Sequence, residues 1–229
     1  MIIGGSRRDR RESRPDQDRG LNASLGFLLS DVVKRFSDFD LRVGHRVIRE
    51  GDEYALQHDE TEAFYKSVTR VRRQSGAVRI VARRLANELG YHSIFLPRFH
   101  NQSPAWPAGL TGSLAHDDQI AVAVVARTGK LVSLGIDIEP AVALPPELIE
   151  VIATERERSS ESWSPLEAHA IFSVKEAVFK ALHPIDGVFL GFKDIDIDLG
   201  KGTARVCYGR EIDISVVVSS KIVALACLR

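Results

Sequence analysis

A chain of 229 residues, 44% hydrophobic and 27% charged, is long enough to bury one large core or two smaller ones and has the make-up of a soluble globular protein. Basic and acidic residues balance at 31 each, which excludes a global field drawing the chain to nucleic acid or an anionic membrane. No apolar run reaches membrane-spanning length, and no apolar signal segment opens the chain. The two cysteines, Cys207 and Cys227, lie in apolar, strand-like sequence and read as buried free thiols, so the expected location is a reducing cytoplasm.

Residues 1–20 are Gly-, Arg- and Asp-rich with almost nothing to bury, and a disordered tail is expected there. Its acids dilute the arginines and argue against a nucleic-acid arm. Leu21, Leu25, Leu28, Leu29, Val32 and Phe36 recur at helical spacing and predict an amphipathic helix. A short strand is predicted over Val43–Ile48 and a helix start at Asp59–Glu62. The next helix is predicted over about Ser75–Leu89, with Val78, Val81, Leu85 and Leu89 as its buried stripe and Gly90 as its stop. Arginines along that helix read as its wet face. Arg70 and Arg73 precede it and would sit beside its N-terminus, where backbone N–H groups and guanidinium make an anion site.

Ile94–Leu96 predicts a strand, followed by a rigid loop, Pro97–Gly112, with Pro104, Trp106 and Pro107. Gln119–Arg127 and Leu131–Glu139 predict a strand pair joined by a Thr128-Gly129-Lys130 hairpin turn, with His116 just ahead of it. Strand alternation puts Asp137 and Glu139 on one face at the strand exit, opposite Ile136 and Ile138. Adjacent carboxylates repel unless a cation lies between them, and hard oxygen pairs of this kind suit Mg²⁺.

Residues 141–164 read as a linker with a short helical piece at Glu147–Ile152 and a polar surface patch at Glu155–Ser162. Pro165 opens a helix running to about Leu182. On it Glu176 and Lys180, four apart, share a face and offer a third carboxylate and an ammonium. Taken singly, an Asp-x-Glu at a strand end is an ordinary solvated edge, and Lys175-Glu176-x-x-x-Lys180 an ordinary surface ion pair. Both sit in apolar sequence, however, and buried charges need partners or a metal. Four strands follow, Phe192–Leu199, Ala204–Tyr208, Ile212–Val218 and Ile222–Leu228, with Asp194, Asp196 and Asp198 on a wet face. Each half of the chain thus offers a long helix and a small sheet.

Gly135-Ile136-Asp137-Ile138-Glu139, followed downstream by Phe172-Ser173-x-Lys175-Glu176-Ala177-x-x-Lys180, resembles the paired signature of the 4′-phosphopantetheinyl transferases, in the single-chain Sfp/EntD branch. Pro104-x-Trp106-Pro107-x-Gly109-x-x-Gly112-Ser113-x-x-His116 is similar to the segment before the substrate-binding histidine in the same family, except that Ala115 stands where a serine is usual. The resemblance covers roughly Arg70 to the C-terminus. It implies an α+β fold of two pseudo-symmetric halves, each a long helix packed on a small, mainly antiparallel sheet, with the active site in the cleft between them. The boundaries expected are a tail over 1–20, an N-terminal half over 21–139 and a C-terminal half over 140–229.

The resemblance also implies an activity, that of a holo-[acyl-carrier-protein] synthase-type enzyme. It transfers 4′-phosphopantetheine from coenzyme A to a serine of an apo acyl, peptidyl or aryl carrier protein, releases 3′,5′-ADP and serves secondary metabolism. Asp137, Glu139 and Glu176 would hold Mg²⁺, or Mn²⁺ in its place. Glu176, Lys180 and Lys175 would be catalytic, while Arg70, Arg73, His116 and Lys180 would bind coenzyme A. Which arginine takes the 3′-phosphate is left open by the spacing. Trp163 would be a candidate contact for the carrier, with a plain connector as the alternative, and a monomer is expected because one chain holds both halves. The alternative function is a non-catalytic coenzyme A-binding module, favoured only by Ala115; a metal phosphohydrolase lacks the residues for a second ion.

Overall fold

Ile120–Arg127 (β3) is buried along its whole length except at Arg127, which is what a run such as IAVAVVA implies. It is the central strand of a three-stranded antiparallel sheet, flanked by β1 (Leu41–Val47) and β2 (Leu110–His116). Alternation along β3 serves two cores. Ala123 and Val125 meet Val81, Ala82, Leu85 and Ala86 of α3 (Thr69–Glu88). Ile120, Val122 and Val124 meet Leu25, Leu28, Leu29 and Val32 of α1 (Arg14–Val33). The computed structural model describes residues 14–99, 103–160 and 163–229.

The second sheet is five-stranded and antiparallel, in the order β4-β8-β7-β6-β5. Its strands are β4 (Ser133–Pro140), β5 (Ile195–Asp198), β6 (Thr203–Val206), β7 (Glu211–Val218) and β8 (Lys221–Leu228). One face is covered by α6 (Pro165–Asp186), through Val174, Ala177, Val178 and Ala181 against Ile212, Ile214, Ala224 and Ala226. On the other face, Ile136, Ile138, Val223 and Leu225 join the core under α1. That helix therefore seals both sheets and makes the halves share one apolar layer. The chain has the expected α+β architecture, one long helix on an antiparallel sheet in each half. Short helices α2 (His58–Glu62), α4 (Pro146–Ile152) and α5 (Glu155–Ser160) fill the connections.

The start of α6 follows from its sequence. Ser164 accepts the N–H of Glu167, whose carboxylate accepts the N–H of Ser164, and Pro165 takes the first turn, where a missing N–H costs nothing. Gly187, at φ 64°, ends it.

Several sequence expectations are corrected. Residues 1–13 of the expected tail lie outside the described residues, but α1 already runs from Arg14, with Pro15 tolerated in its first turn. Helix α3 starts at Thr69, six residues early, so Arg70 and Arg73 ride on its first turns and do not precede it. No strand forms over 94–96; the strand is β2, which begins within the expected loop and runs past it to His116, its apolar pattern blunted by Gly112 and Ser113. The hairpin expected between residues 119–127 and 131–139 does not exist. Both edges of β3 are taken by β1 and β2, and β4 finds its partner in β8, with Asp137 opposite Ala224. Of the two thiols, Cys227 is buried and Cys207 exposed, both unpaired with each other. Residues 161–162 of the expected polar patch lie outside the described residues, while Glu157 within it is 3% exposed.

Candidate active site

Gly135, Asp137 and Glu139 share the face of β4 turned towards α6, because Leu134, Ile136 and Ile138 are committed to the opposite core. The helix runs so close to β4 that a Cβ on Gly135 would lie 1.8 Å from the carbonyl oxygen of Ala177. Ser173, Glu176, Ala177 and Lys180 recur at helical spacing on the facing side of α6. Ser173 Oγ donates to Asp137 Oδ2 at 2.8 Å, and Lys180 Nζ donates to Asp137 Oδ1 at 2.6 Å. Asp137 is 5% exposed. The ammonium and the hydroxyl supply the partners that a buried carboxylate requires.

The other two acids lack such direct compensation. Glu139 has its pKa pushed up, first by loss of water and then by Asp137, with His169 and Lys180 opposing. His169, which donates from Nδ1 to the carbonyl of Val142, places Nε2 3.8 Å from Glu139 Oε2. Glu176 is also pushed up by burial and by Asp137, against the pull of Lys180. The three acids expected to hold one ion are thus electrostatic neighbours. They do not form a ready cage: among the described residues no three His, Cys, Asp or Glu side chains are gathered to hold a metal, and the Lys180 ammonium takes the place beside Asp137. The donor set is nevertheless of the right chemistry for Mg²⁺, since it is all oxygen, partly dehydrated and short of positive charge at Glu139 and Glu176.

Beside this cluster opens a cleft of 620 Å³, walled by α3 and β2 from one half and α6 from the other. Lys180 borders it from α6, while Arg79, Arg98 and His116 border it from the first half. Arg79 is buried and held in place. Its Nε and Nη2 donate to the carbonyl of Leu96 at 3.1 and 2.9 Å, Nη1 donates to the carbonyl of Ser75, and Glu60 lies 3.6 Å away. Burial pulls its pKa down to about 10, so it stays cationic at neutral pH. Arg79 and Arg98 both lie over the ring of Phe64. His116 opens on the cleft and donates from Nδ1 to the carbonyl of Asp117 at 3.3 Å. The cleft walls strip water from the ring and Lys180 repels its proton, so its pKa is lowered despite the opposing Asp117. Three cations and an imidazole around one cavity, with aromatic Trp106, Phe179 and Phe189 lining it, suit a polyanionic ligand with apolar segments.

The structure brings together Asp137, Glu139, Glu176, Lys180 and His116. It does not bring Arg70, Arg73 or Lys175 to the cleft. Arg70 pairs with Asp118 at the surface, and Arg73 grips Glu53 through Nε and Nη2 at 3.0 and 3.1 Å. Lys175, fully buried, points to the other side of α6. There its Nζ donates to Glu157 Oε2 at 2.7 Å and to the carbonyls of Ile152 and Phe192 at 2.8 and 3.0 Å. The sequence reading missed Arg79, Arg98 and His169. Arg79 and Arg83, read as wet face, share a buried acid, Glu60. A usable signal was present: Arg79 falls at helical spacing with Ser75, Ala82 and Ala86, a face too small and apolar for solvent.

Comparison with known proteins agrees with this geometry. Residues 59–126 match the model of the 4′-phosphopantetheinyl transferase N-terminal domain, and residues 133–226 match that of the 4′-phosphopantetheinyl transferase superfamily. The division falls between β3 and β4, where the chain passes from one sheet to the other. The chain is 33% identical to the 4′-phosphopantetheinyl transferase Svp of Streptomyces mobaraensis over 175 residues, which cover 68% of this chain and 70% of that protein. It is 32% identical to Npt of Nocardia iowensis over 63% of this chain and 70% of that one, and 33% identical to PptT of Mycobacterium tuberculosis over 61% and 63%. A shared two-sheet frame, signature acids facing α6 across Gly135, and this length of similarity lead to one conclusion: the chain belongs to the 4′-phosphopantetheinyl transferase superfamily.

Proposed function

We propose that this protein transfers 4′-phosphopantetheine from coenzyme A to a serine hydroxyl of an apo acyl, peptidyl or aryl carrier protein, releasing 3′,5′-ADP, in the service of secondary metabolism. The observation that carries the reading is the cationic cleft between the halves, bordered by Lys180, which is paired to Asp137. In it the diphosphate lies against Lys180 and His116, with Arg79 and Arg98 towards the nucleotide phosphates. The expected Arg70 and Arg73 remain candidates only for an outer phosphate contact, each already holding an acid of its own.

Phosphoryl transfer asks for charge neutralisation and in-line placement more than for covalent chemistry. Asp137, Glu139 and Glu176 would hold Mg²⁺, which supplies Lewis-acid neutralisation of the diphosphate. Glu176, directly or through an intervening water, accepts the serine proton as the serine oxygen attacks the β-phosphorus. The bond to the 3′,5′-ADP oxygen breaks, and Lys180 offsets the charge that gathers there. Lys175 acts on none of these atoms; it anchors α6 from behind through Glu157. Trp163, packed partly buried against the second core, stays a candidate carrier contact at the start of α6.

Intact-mass analysis of apo carrier domains incubated with the protein, coenzyme A and Mg²⁺ tests the reading: the expected result is the gain of one phosphopantetheine arm. Lys180→Ala and Asp137→Ala should each lower transfer by about 10²–10³-fold, the usual scale for removing a transition-state charge partner. Wild-type binding of coenzyme A without transfer to any carrier class would select the non-catalytic module instead.

A further inference from the structure

Asp117 follows His116 directly, yet it does not line the cleft, and its side chain is only 6% exposed. Its Oδ1 accepts the backbone N–H groups of Gln119 and Ile120 at 2.7 Å each and so closes the β2–β3 turn. Its Oδ2 accepts the ammonium of Lys221, the first residue of β8, which is itself 12% exposed. The carbonyl of Asp117 accepts from Gln74 Nε2 of α3 and from His116 Nδ1, both at 3.3 Å. One residue therefore joins α3, the β2–β3 turn, β8 and the cleft histidine. No part of the signature motifs explains the pair, and the two partners come from opposite halves.

The halves do not depend on this ion pair to stay together, because the apolar layer under α1 already spans both sheets. What the pair controls is charge. The Asp117 carboxylate is near enough to act electrostatically on both His116 and Glu139. A carboxylate stripped of its cation at that point would repel ligand phosphates in a cleft whose charged members are cations. Buried charges that lose a partner either reorient towards water or weigh on their neighbours.

We propose that Lys221 is a positioning residue of the cleft: by neutralising the Asp117 carboxylate that the turn N–H groups hold, it keeps the His116 wall free of net negative charge and so sets affinity for the phosphate-bearing substrate. This rests on the reading that the cleft receives coenzyme A. Lys221 touches no substrate in this scheme, and its effect belongs in KM for coenzyme A, with kcat and KM for the carrier spared.

The test is a charge cycle on the full chain, with Lys221→Met, Lys221→Arg, Asp117→Asn and the double variant Asp117→Asn/Lys221→Met. Lys221→Met should raise KM for coenzyme A about tenfold, the scale of one uncompensated unit charge acting through protein-surface polarity. The double variant should return KM to within about threefold of wild type, because an asparagine amide oxygen still accepts the two turn N–H groups and no net charge is left. Lys221→Arg should match wild type. An unchanged KM in Lys221→Met, or a double variant as impaired as Lys221→Met, overturns the proposal and makes the pair a plain strap. Calorimetric titration with coenzyme A reads the same differences without turnover, so a wild type that binds but does not transfer sinks the enzymatic reading and leaves this one to be judged on affinity alone.

Discussion

Gly135→Ala probes the contact that sets the whole site. The new Cβ would lie 1.8 Å from the carbonyl oxygen of Ala177 and 2.7 Å from the amide nitrogen of Ala181. Both are backbone atoms of α6 and cannot rotate aside, and ordinary contact begins only at 3.4 Å. Strand and helix must therefore part by more than about 1 Å, a distance that close-packed interiors do not absorb. Overpacking costs about 1–3 kcal/mol, and a backbone obstacle places this substitution at the upper end. In a chain of this size, about 3 kcal/mol lowers Tm by about 6–12 °C. The same displacement pulls Asp137 away from Ser173 and Lys180, now 2.8 and 2.6 Å distant. Misplacement of about 1 Å at a reacting centre costs roughly 100-fold in rate. Thermal unfolding followed by far-ultraviolet circular dichroism, with mass-detected transfer to an apo carrier, measures both. A Tm within about 2 °C of wild type together with unreduced transfer would refute the claim that Gly135 is there for helix approach.

Two further outcomes follow from the charged network. Lys175→Met should destabilise the protein by about 3–5 kcal/mol in urea unfolding, because Glu157 stays buried, held by the N–H groups of Thr154 and Ile197 but without its cation; a loss below about 1 kcal/mol would place Lys175 elsewhere than in that pair. Glu53 is held down to about 2, chiefly by its hydrogen bonds from Arg73. A carboxylate with a depressed folded pKa contributes stability that is complete above its unfolded value of 4.5 and fades as pH falls towards 2, so Arg73→Met should lower stability at neutral pH, flatten that stretch of the profile and leave the acid end comparatively untouched. An unaltered slope over that stretch in the variant would show that the Glu53–Arg73 pair is not formed.

Much of the site was legible because its chemistry is written in short-range spacing. Asp137 and Glu139 two apart on a strand, and Glu176 and Lys180 four apart on a helix, fall on single faces whatever the rest of the chain does. Helix α6 was equally legible, since Ser164, Pro165, Glu167 and Gly187 carry their own start and stop signals. Strand partnership was not. Adjacent apolar runs at 119–127 and 131–139 look like a hairpin, and only the competition of three other strands, β1, β2 and β8, for their edges assigns β3 to one sheet and β4 to the other.

Arginines are the clearest case of the same limit. On sequence alone Arg70 and Arg73 look better placed for a ligand than Arg79 and Arg83, and the structure reverses that order for Arg79. Which of them reaches the cleft depends on where Glu53, Glu60 and Asp118 arrive from distant parts of the chain to claim the others. Lys175 and Lys180 divide in the same way, one buried behind α6 by Glu157 and the other turned to Asp137. Local periodicity thus determined what each segment is and which face its charges occupy. The fold decided which charges meet, because pairing energy depends on distances through space, and those are fixed only once the two sheets and three long helices have packed.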